Sequence, residues 1–183
     1  MVVGAPSDEN QCRQMLQSAW LHEGPSAVRY PRGEGTGIAI DAELPAMEIG
    51  KAEMVRKGAG IAILNFGVLL DQTLTAAEAL GATVVDMRWV KPLDEAMILS
   101  LVEQHDLLIT VEENAVAGGA GSGVAEFLAK AGVICQLRHV GIPDAFIAHA
   151  GQGECRQLAG LTADNIIAVA QSTAPATTSK QAL

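Results

Sequence analysis

From about Ile49 onward, short apolar runs alternate regularly with amphipathic segments, and this alternation constrains the fold more than any other feature. The apolar runs have the length of buried β-strands, and the segments between them repeat apolar residues at helical spacing. The predicted strands are residues 60–66, 83–87, 107–111 and 133–140, with an edge strand at 52–55. The predicted helices are residues 70–80, 93–104, 122–131, 152–159 and 163–171. This order predicts an α/β domain with a mostly parallel sheet flanked by helices.

Residues 1–33 predict a separate strand-helix-strand unit. An apolar run opens the chain and precedes a helix for which Ser7 or Asp8 is the expected N-cap. The helix carries a stripe of apolar residues at i, i+3, i+4, i+7 and i+8: Cys12, Met15, Leu16, Ala19 and Trp20. A second short strand is predicted at residues 26–30. Because this unit has too little sheet of its own, we expect a partner to cover it.

The composition of the segments between and after these two units indicates the domain boundaries. Residues 34–47 contain glycine and proline with little periodicity, which is typical of a linker. We therefore expect the end of one domain at 1–33, a linker at 34–47 and an α/β domain at 48–172. Residues 173–183 are rich in alanine, threonine and serine, and we expect them to form a flexible tail.

Composition argues against several classes of function. Aromatic residues make up only 3% of the chain, so a base-stacking platform is not expected, and the net charge of −9 disfavours nucleic acid and anionic membranes. The cysteines lack metal-binding spacing, and we expect reduced, mostly buried thiols at Cys12, Cys135 and Cys155. No apolar run approaches the length of a membrane span. These features indicate a cytoplasmic protein.

Two arginines stand where a predicted strand ends and the linker begins, in the segment Arg29-Tyr30-Pro31-Arg32-Gly33. Arginines at the carboxyl end of a strand can reach a cleft and bind a phosphate through paired N–H donors. From the residues alone, surface ion pairs for both arginines are the favoured interpretation, because exposed arginines are common.

A glycine-rich segment, residues 118–123, precedes a predicted helix, and Glu112, Glu113 and Asn114 stand just before it. Free N–H groups at a helix start can bind an anion, but close packing of helix against strand is favoured here. The two carboxylates could serve acid–base chemistry or hold a metal, yet successive strand residues point to opposite faces. We therefore favour a structural role, either capping the glycine-rich loop or bonding across an interface.

Two further groups of polar residues also favour structural roles. A mixed-charge run around Pro92 predicts a salt-bridged turn from strand to helix, formed by Asp86, Arg88, Lys91 and Asp94. Asp94 would stand near the helix start, where its charge is favourable. No histidine lies at metal-ligand spacing from another histidine or cysteine, so each is expected to be satisfied or exposed: His22, His105, His139 and His149.

Taken in order, these motifs resemble the deoxyxylulose phosphate synthases, a family of transketolase-type thiamine diphosphate enzymes. The matching strings are PSDEN at 6–10, GPSAVRYPRG at 24–33, LNFG at 64–67, VVDMRWVKPLD at 84–94, VEEN at 111–114, GGAGSG at 118–123 and GIPD at 141–144. The resemblance covers nearly the whole chain. It implies three α/β domains, of which this chain resembles the end of the second, pyrimidine-binding domain and all of the third.

The resemblance also implies a reaction. Such enzymes condense pyruvate with glyceraldehyde 3-phosphate to 1-deoxy-D-xylulose 5-phosphate and CO2, for isoprenoid and thiamine biosynthesis, as homodimers that use thiamine diphosphate and Mg2+. Arg32 is expected to bind the phosphate of glyceraldehyde 3-phosphate, with Arg29 as a weaker candidate. The proline and glycine between and after them would fix the bend of the chain.

The resemblance further implies what this chain lacks. The Gly-Asp-Gly motif that holds the metal and diphosphate is absent, and so is the glutamate that activates the aminopyrimidine. We therefore expect no catalytic, cofactor-binding or metal-binding residue here, and no activity without the remaining domains of the enzyme as partners. The alternatives are a β-type subunit of another thiamine diphosphate enzyme and a non-catalytic α/β interaction module.

Overall fold

The computed structural model describes residues 1–172, so the tail predicted at 173–183 lies outside the described residues. In chain order the elements are β1 (Val2–Gly4), α1 (Glu9–Leu21), β2 (Ser26–Val28), β3 (Glu53–Arg56), β4 (Gly60–Phe66), α2 (Leu70–Leu80), β5 (Thr83–Asp86), β6 (Trp89–Lys91), α3 (Glu95–Gln104), β7 (His105–Ala115), α4 (Ala120–Lys130), β8 (Gln136–Ile142), α5 (Gln152–Leu158) and α6 (Ala163–Gln171). The strands form two sheets. No helix within this part of the chain is long and apolar enough to cross a membrane.

The larger sheet has the strand order β3-β5-β4-β7-β8. Four adjacent strands, β5, β4, β7 and β8, run parallel to one another, and β3 pairs antiparallel with β5 at the other edge. Helices cover both faces, since Ile63 of β4 packs in a cluster with α2 and α6, and its neighbour Leu64 packs in a second cluster with α3 and α4. Burial on both faces explains why these strands are almost continuously apolar. The prediction of a mostly parallel α/β sheet flanked by helices is confirmed.

The smaller sheet has the order β2-β1-β6 and joins the two predicted units. β1 pairs parallel with β2 and antiparallel with β6. The prediction that residues around Pro92 form only a turn is therefore wrong for Trp89–Lys91. These residues extend because Trp89, 1% exposed, packs on Val2 and Met15, while its backbone pairs with β1. The partner expected for the first unit is thus supplied in part from within the chain.

The predicted apolar stripe of α1 is only partly correct. Met15 is fully buried, but Leu16 is 50% exposed and Trp20 is 84% exposed. The helix instead turns Gln11 and Ser18 inward together with Met15. Both polar side chains bind outside the helix, which fixes its rotation: Gln11 Nε2 donates to Asp86 Oδ2 at 2.8 Å, and Ser18 Oγ donates to the carbonyl of Met47 at 2.9 Å.

Local signals located most of the helix ends. Of the two predicted N-caps of α1, Asp8 is the one that serves, since its carboxylate accepts the N–H of Gln11 at 2.7 Å. Gly81 ends α2 with φ of 65°, a conformation in which a glycine is unstrained. The three cysteines are free as expected, but all are half-buried rather than mostly buried.

Candidate functional site

A cleft of about 400 Å³ opens where β2 ends beside α5. Its charged lining consists of Arg29, Arg32, Glu113 and Arg156, and we call it the arginine cleft. Gln152 adds a polar group, and apolar walls come from Ile142, Ile147 and Leu161. The structure therefore brings the two arginines predicted from sequence to one cavity and adds a third from a distant helix.

The backbone at the end of β2 aims Arg29 toward β7. Its N–H donates to the carbonyl of Gly4 at 2.8 Å, which continues the pairing of β2 with β1. Its guanidinium donates to the carbonyl oxygen of Glu113. Arg32 follows two residues beyond Tyr30 and is exposed on the cleft wall. Arg29 is thus tied to the fold, whereas Arg32 is an exposed residue of the cavity lining.

Arg156 was missed by the sequence analysis. It stands on the short helix α5, and its Nε donates to Oε1 of Glu113 at 2.6 Å. The two side chains are 27% and 14% exposed, so water only partly screens the pair. An isolated arginine in a polar helix carries no sequence motif, and only the three-dimensional approach of α5 to β7 reveals its position.

Arg29 and Arg32 were predicted to form surface ion pairs, but neither belongs to an ion pair within residues 1–172. The pairs are Arg88 with Glu53, and Arg156 with Glu113. A cavity lined by three guanidinium groups and one carboxylate has an excess of positive charge and many N–H donors. Such an arrangement suits an oxyanion, above all a phosphate, which accepts several such bonds at once.

Glu112 caps the glycine-rich loop. Its carboxylate, 2% exposed, accepts the N–H of Ala120 at 2.7 Å and the N–H of Gly121 at 2.8 Å. Burial raises the pKa of Glu112 above its ordinary value, and these hydrogen bonds oppose that rise. The interpretation as a structural cap is confirmed.

The glycines of this loop permit close packing of α4 on the sheet, as predicted. A Cβ atom at Gly121 would clash with Thr110 Oγ1 and would lie 2.6 Å from Nδ1 of His139. Those two atoms bond each other at 2.7 Å, and burial lowers the pKa of His139. His105 is bonded in the same manner, to Thr83 Oγ1 at 2.7 Å. Both histidine rings therefore have hydrogen-bond partners within the fold, as predicted.

The described residues do not fit thiamine diphosphate and Mg2+. The N–H groups of the glycine-rich loop that would meet a diphosphate are already bonded to Glu112, whose carboxylate would repel an anion. Within residues 1–172, no group of three or more histidine, cysteine, aspartate or glutamate side chains could hold a metal ion. No reaction step can be derived through the cofactor from these residues.

The charged side chains Asp94 and Arg88 of the mixed-charge run bind partners within the α/β domain. Asp94 caps α3 by accepting the N–H of Met97 at 3.0 Å, and it accepts the N–H of Ala52 at 3.0 Å as well. Arg88, with φ of 60°, pairs with Glu53. The predicted helix start at Asp94 is confirmed, but the predicted salt bridge within the run is wrong, because Arg88 pairs with Glu53 and Asp86 accepts from Gln11. Lys91 belongs to β6 rather than to the turn.

Comparison with known sequences places most of the chain in one family. Residues 50–166 match the family described as Transketolase, C-terminal domain. The 1-deoxy-D-xylulose-5-phosphate synthase of Vibrio vulnificus (strain CMCP6) is 55% identical over 166 residues, which is 91% of this chain and 27% of that protein. The synthase of Shewanella amazonensis is 58% identical over 167 residues, again 91% of this chain and 27% of that protein. The chain spans about a quarter of the length of these curated relatives.

Solved structures agree with this assignment. A split gene transketolase, described as an inactive beta4 tetramer, superposes with a TM-score of 0.84 at 29% identity, covering 93% of this chain and 57% of that chain. The transketolase of Campylobacter jejuni superposes with a TM-score of 0.67 at 18% identity, covering 94% of this chain and 26% of that chain. The second likeness concerns the fold alone.

Proposed function

The chain belongs to the transketolase C-terminal domain family, and on that premise we propose that it is the C-terminal part of a 1-deoxy-D-xylulose 5-phosphate synthase. The proposed enzyme condenses pyruvate with glyceraldehyde 3-phosphate and releases CO2, a step toward isoprenoid precursors and thiamine. Thiamine diphosphate, with Mg2+, supplies the carbanion chemistry when bound. Because the residues of this chain do not fit that cofactor, the proposal assigns its binding to the remaining domains of the enzyme.

The role of this chain in that reaction is to hold the acceptor substrate by its phosphate. The observation that carries the role is the arginine cleft, in which the exposed Arg32 lines the same cavity as Arg29 and Arg156. Arg29 is the weaker ligand, since it already donates to the carbonyl of Glu113. Binding energy gained at a phosphate remote from the reacting carbon positions the aldehyde for attack.

The proposal extends to domains and partners. Residues 1–33 would be the end of a pyrimidine-binding domain, 34–47 a linker and 48–172 the third domain, which agrees with a family match that starts at residue 50. The partners would be the remaining domains, on this or another chain, in a homodimer. Because the three cysteines are free, we place the enzyme in the reducing cytoplasm.

A chimera tests the phosphate role. The matching segment of the Vibrio vulnificus synthase, 55% identical to this chain, is replaced by this chain. In the chimera, Arg32→Ala should raise KM for glyceraldehyde 3-phosphate by roughly 10- to 100-fold, the range for one lost charge-assisted hydrogen bond. KM for pyruvate should stay unchanged, because pyruvate carries no phosphate.

The matched control is Lys130→Ala, which removes a positive charge from an exposed position at the end of α4. It should leave both KM values unchanged. Equal losses for the two substrates in Arg32→Ala would contradict the phosphate role, since they would indicate a general disturbance of the active site.

A second candidate is a β-type subunit of a split transketolase. The likeness to the split gene transketolase, with its TM-score of 0.84, favours this candidate. The two functions differ in their products, because a transketolase transfers a ketol group and releases no CO2. To separate the two functions, the 183-residue chain is mixed either with the N-terminal part of a synthase or with the companion subunit of a split transketolase, and the release of CO2 is measured.

A further inference from the structure

The two adjacent carboxylates at the end of β7 have different tasks. Glu112 caps α4, whereas Glu113 lines the arginine cleft. Neighbouring residues of a strand face opposite sides, so this division follows from their position in β7. Both carboxylate oxygens of Glu112 accept N–H groups of α4, so Glu113 is the carboxylate that can bind groups in the cleft.

Glu113 bonds both of the other arginines that line the cleft with Arg32. Its carbonyl oxygen accepts from Arg29, which is 84 residues away in sequence, and its carboxylate accepts from Nε of Arg156, which is 43 residues away. One residue thus fixes the end of β2 and the helix α5 relative to β7. Both bonds use groups on β7, which pairs with β4 and β8 within the larger sheet.

The charge of the cleft identifies the kind of ligand. Three guanidinium groups face one carboxylate among its lining residues, which leaves an excess of two positive charges. A phosphate monoester carries about −1.5 to −2 charges at neutral pH and offers three acceptor oxygens. The bond to Glu113 uses Nε of Arg156, and a guanidinium has further N–H donors on its terminal amino groups.

We infer that Glu113 is a positioning residue that sets Arg156 as a third guanidinium around the phosphate held by Arg32, a role that rests on the proposed function. Without Glu113, Arg156 would sample many rotamers on the surface of α5, and much of its affinity for phosphate would be lost in ordering it. The carboxylate contributes geometry, and its negative charge slightly opposes anion binding.

Phosphate binding by the 183-residue chain itself tests this inference. Inorganic phosphate is titrated at constant ionic strength while the amide resonances of residues 29–33 and 152–156 are followed by NMR. Arg156→Ala should weaken binding by about tenfold, and Arg156→Lys should lose less because it keeps the charge. Amide spectra of each variant establish that the fold is intact.

Two variants of Glu113 separate positioning from charge. Glu113→Gln keeps an acceptor oxygen for Arg156 and removes the negative charge, so phosphate should bind as tightly as to the wild type or more tightly. Glu113→Ala removes the acceptor and should weaken binding by about as much as Arg156→Ala, roughly tenfold. The opposite order, or equal affinities for all folded variants, would overturn the inference, as would a folded wild type that binds no phosphate.

The phosphate titrations of the chain and the activity assay of the chimera test the two proposals separately. A chain that binds phosphate in the expected order, together with a chimera that makes no 1-deoxy-D-xylulose 5-phosphate, would uphold the positioning role and reject the synthase. A productive chimera in which Arg156→Ala leaves KM for glyceraldehyde 3-phosphate unchanged would do the reverse.

Discussion

Gln11 Nε2 donates a 2.8 Å hydrogen bond to Oδ2 of Asp86 across 75 residues of sequence. The bond joins α1 to the end of β5 and therefore links the first unit to the α/β domain. Asp86 is only 1% exposed and also accepts the backbone N–H of Arg88 at 3.3 Å. Desolvation outweighs these hydrogen bonds and raises the pKa of Asp86 to about 6.

Asp86 should make the stability of the protein depend on pH. Since its pKa is 3.8 in its ordinary state and about 6 in the fold, the folded protein holds a proton between these values that the unfolded chain has released. The free energy of unfolding should therefore fall as pH rises from about 4 to about 6, by an amount on the order of 2–3 kcal/mol.

Comparison with Asp86→Asn isolates this contribution. In urea denaturation between about pH 4 and pH 7, the free energy of unfolding of the wild type relative to that of the variant should fall as pH rises. Glu112 and His139 titrate in the same way in both proteins and cancel in the difference. Parallel stability curves would show that Asp86 is ionised throughout this range.

The glycine-rich loop should tolerate alanine at one position and reject it at another. Gly121→Ala should lower the free energy of unfolding by about 1–3 kcal/mol, because its Cβ would clash with Thr110 and His139. Gly123→Ala, on the same helix, places its Cβ 3.8 Å from Leu93 Cδ1 and should stabilise by about 0.5–1 kcal/mol. Urea denaturation measures both, and similar effects from the two substitutions would contradict the close packing of Gly121 on Thr110 and His139.

Loss of the cap on α4 should be costly. Glu112→Ala leaves the N–H groups of Ala120 and Gly121 buried without an acceptor, and should destabilise by about 2–3 kcal/mol. Glu126→Ala, at an exposed position of the same helix, should change stability by less than about 0.5 kcal/mol. Equal midpoints in thermal unfolding for the two variants would argue that the cap contributes little.

Replacing the two tryptophans should cost very different amounts of stability. Trp89→Ala removes the 1% exposed ring that packs on Val2 and Met15, and should cost about 3–5 kcal/mol. Trp20→Ala should cost less than about 0.5 kcal/mol, since that ring is 84% exposed. Fluorescence offers a second readout, because the emission left in Trp20→Ala should be blue-shifted and the emission left in Trp89→Ala should resemble that of tryptophan in water.

Local sequence patterns predicted the elements of the larger sheet well. The strand predicted at residues 60–66 and the helix predicted at 70–80 have the bounds of β4 and α2, because apolar runs and a terminal glycine are signals that neighbouring residues fully determine. Neither the rotation of α1 nor the strand β6 could be predicted in this manner. The first depends on Asp86, 75 residues away, and the second on a backbone pairing with β1.

The candidate site was predicted only in part for the same reason. The segment around Arg29 and Arg32 carries a motif, so both residues could be named from sequence. Arg156 belongs to the site only because α5 approaches β7, where Glu113 pairs with it at 2.6 Å. A contact of that kind leaves no periodic or motif signal along the chain.

The central claim is that this chain acts as the C-terminal part of a 1-deoxy-D-xylulose 5-phosphate synthase. The most direct test is formation of 1-deoxy-D-xylulose 5-phosphate from pyruvate and glyceraldehyde 3-phosphate by the chimera with the Vibrio vulnificus synthase, with the 183-residue chain alone as control. We predict product from the chimera in the presence of thiamine diphosphate and Mg2+, and none from the chain alone. A folded chimera that binds the cofactor and forms no product would contradict the claim.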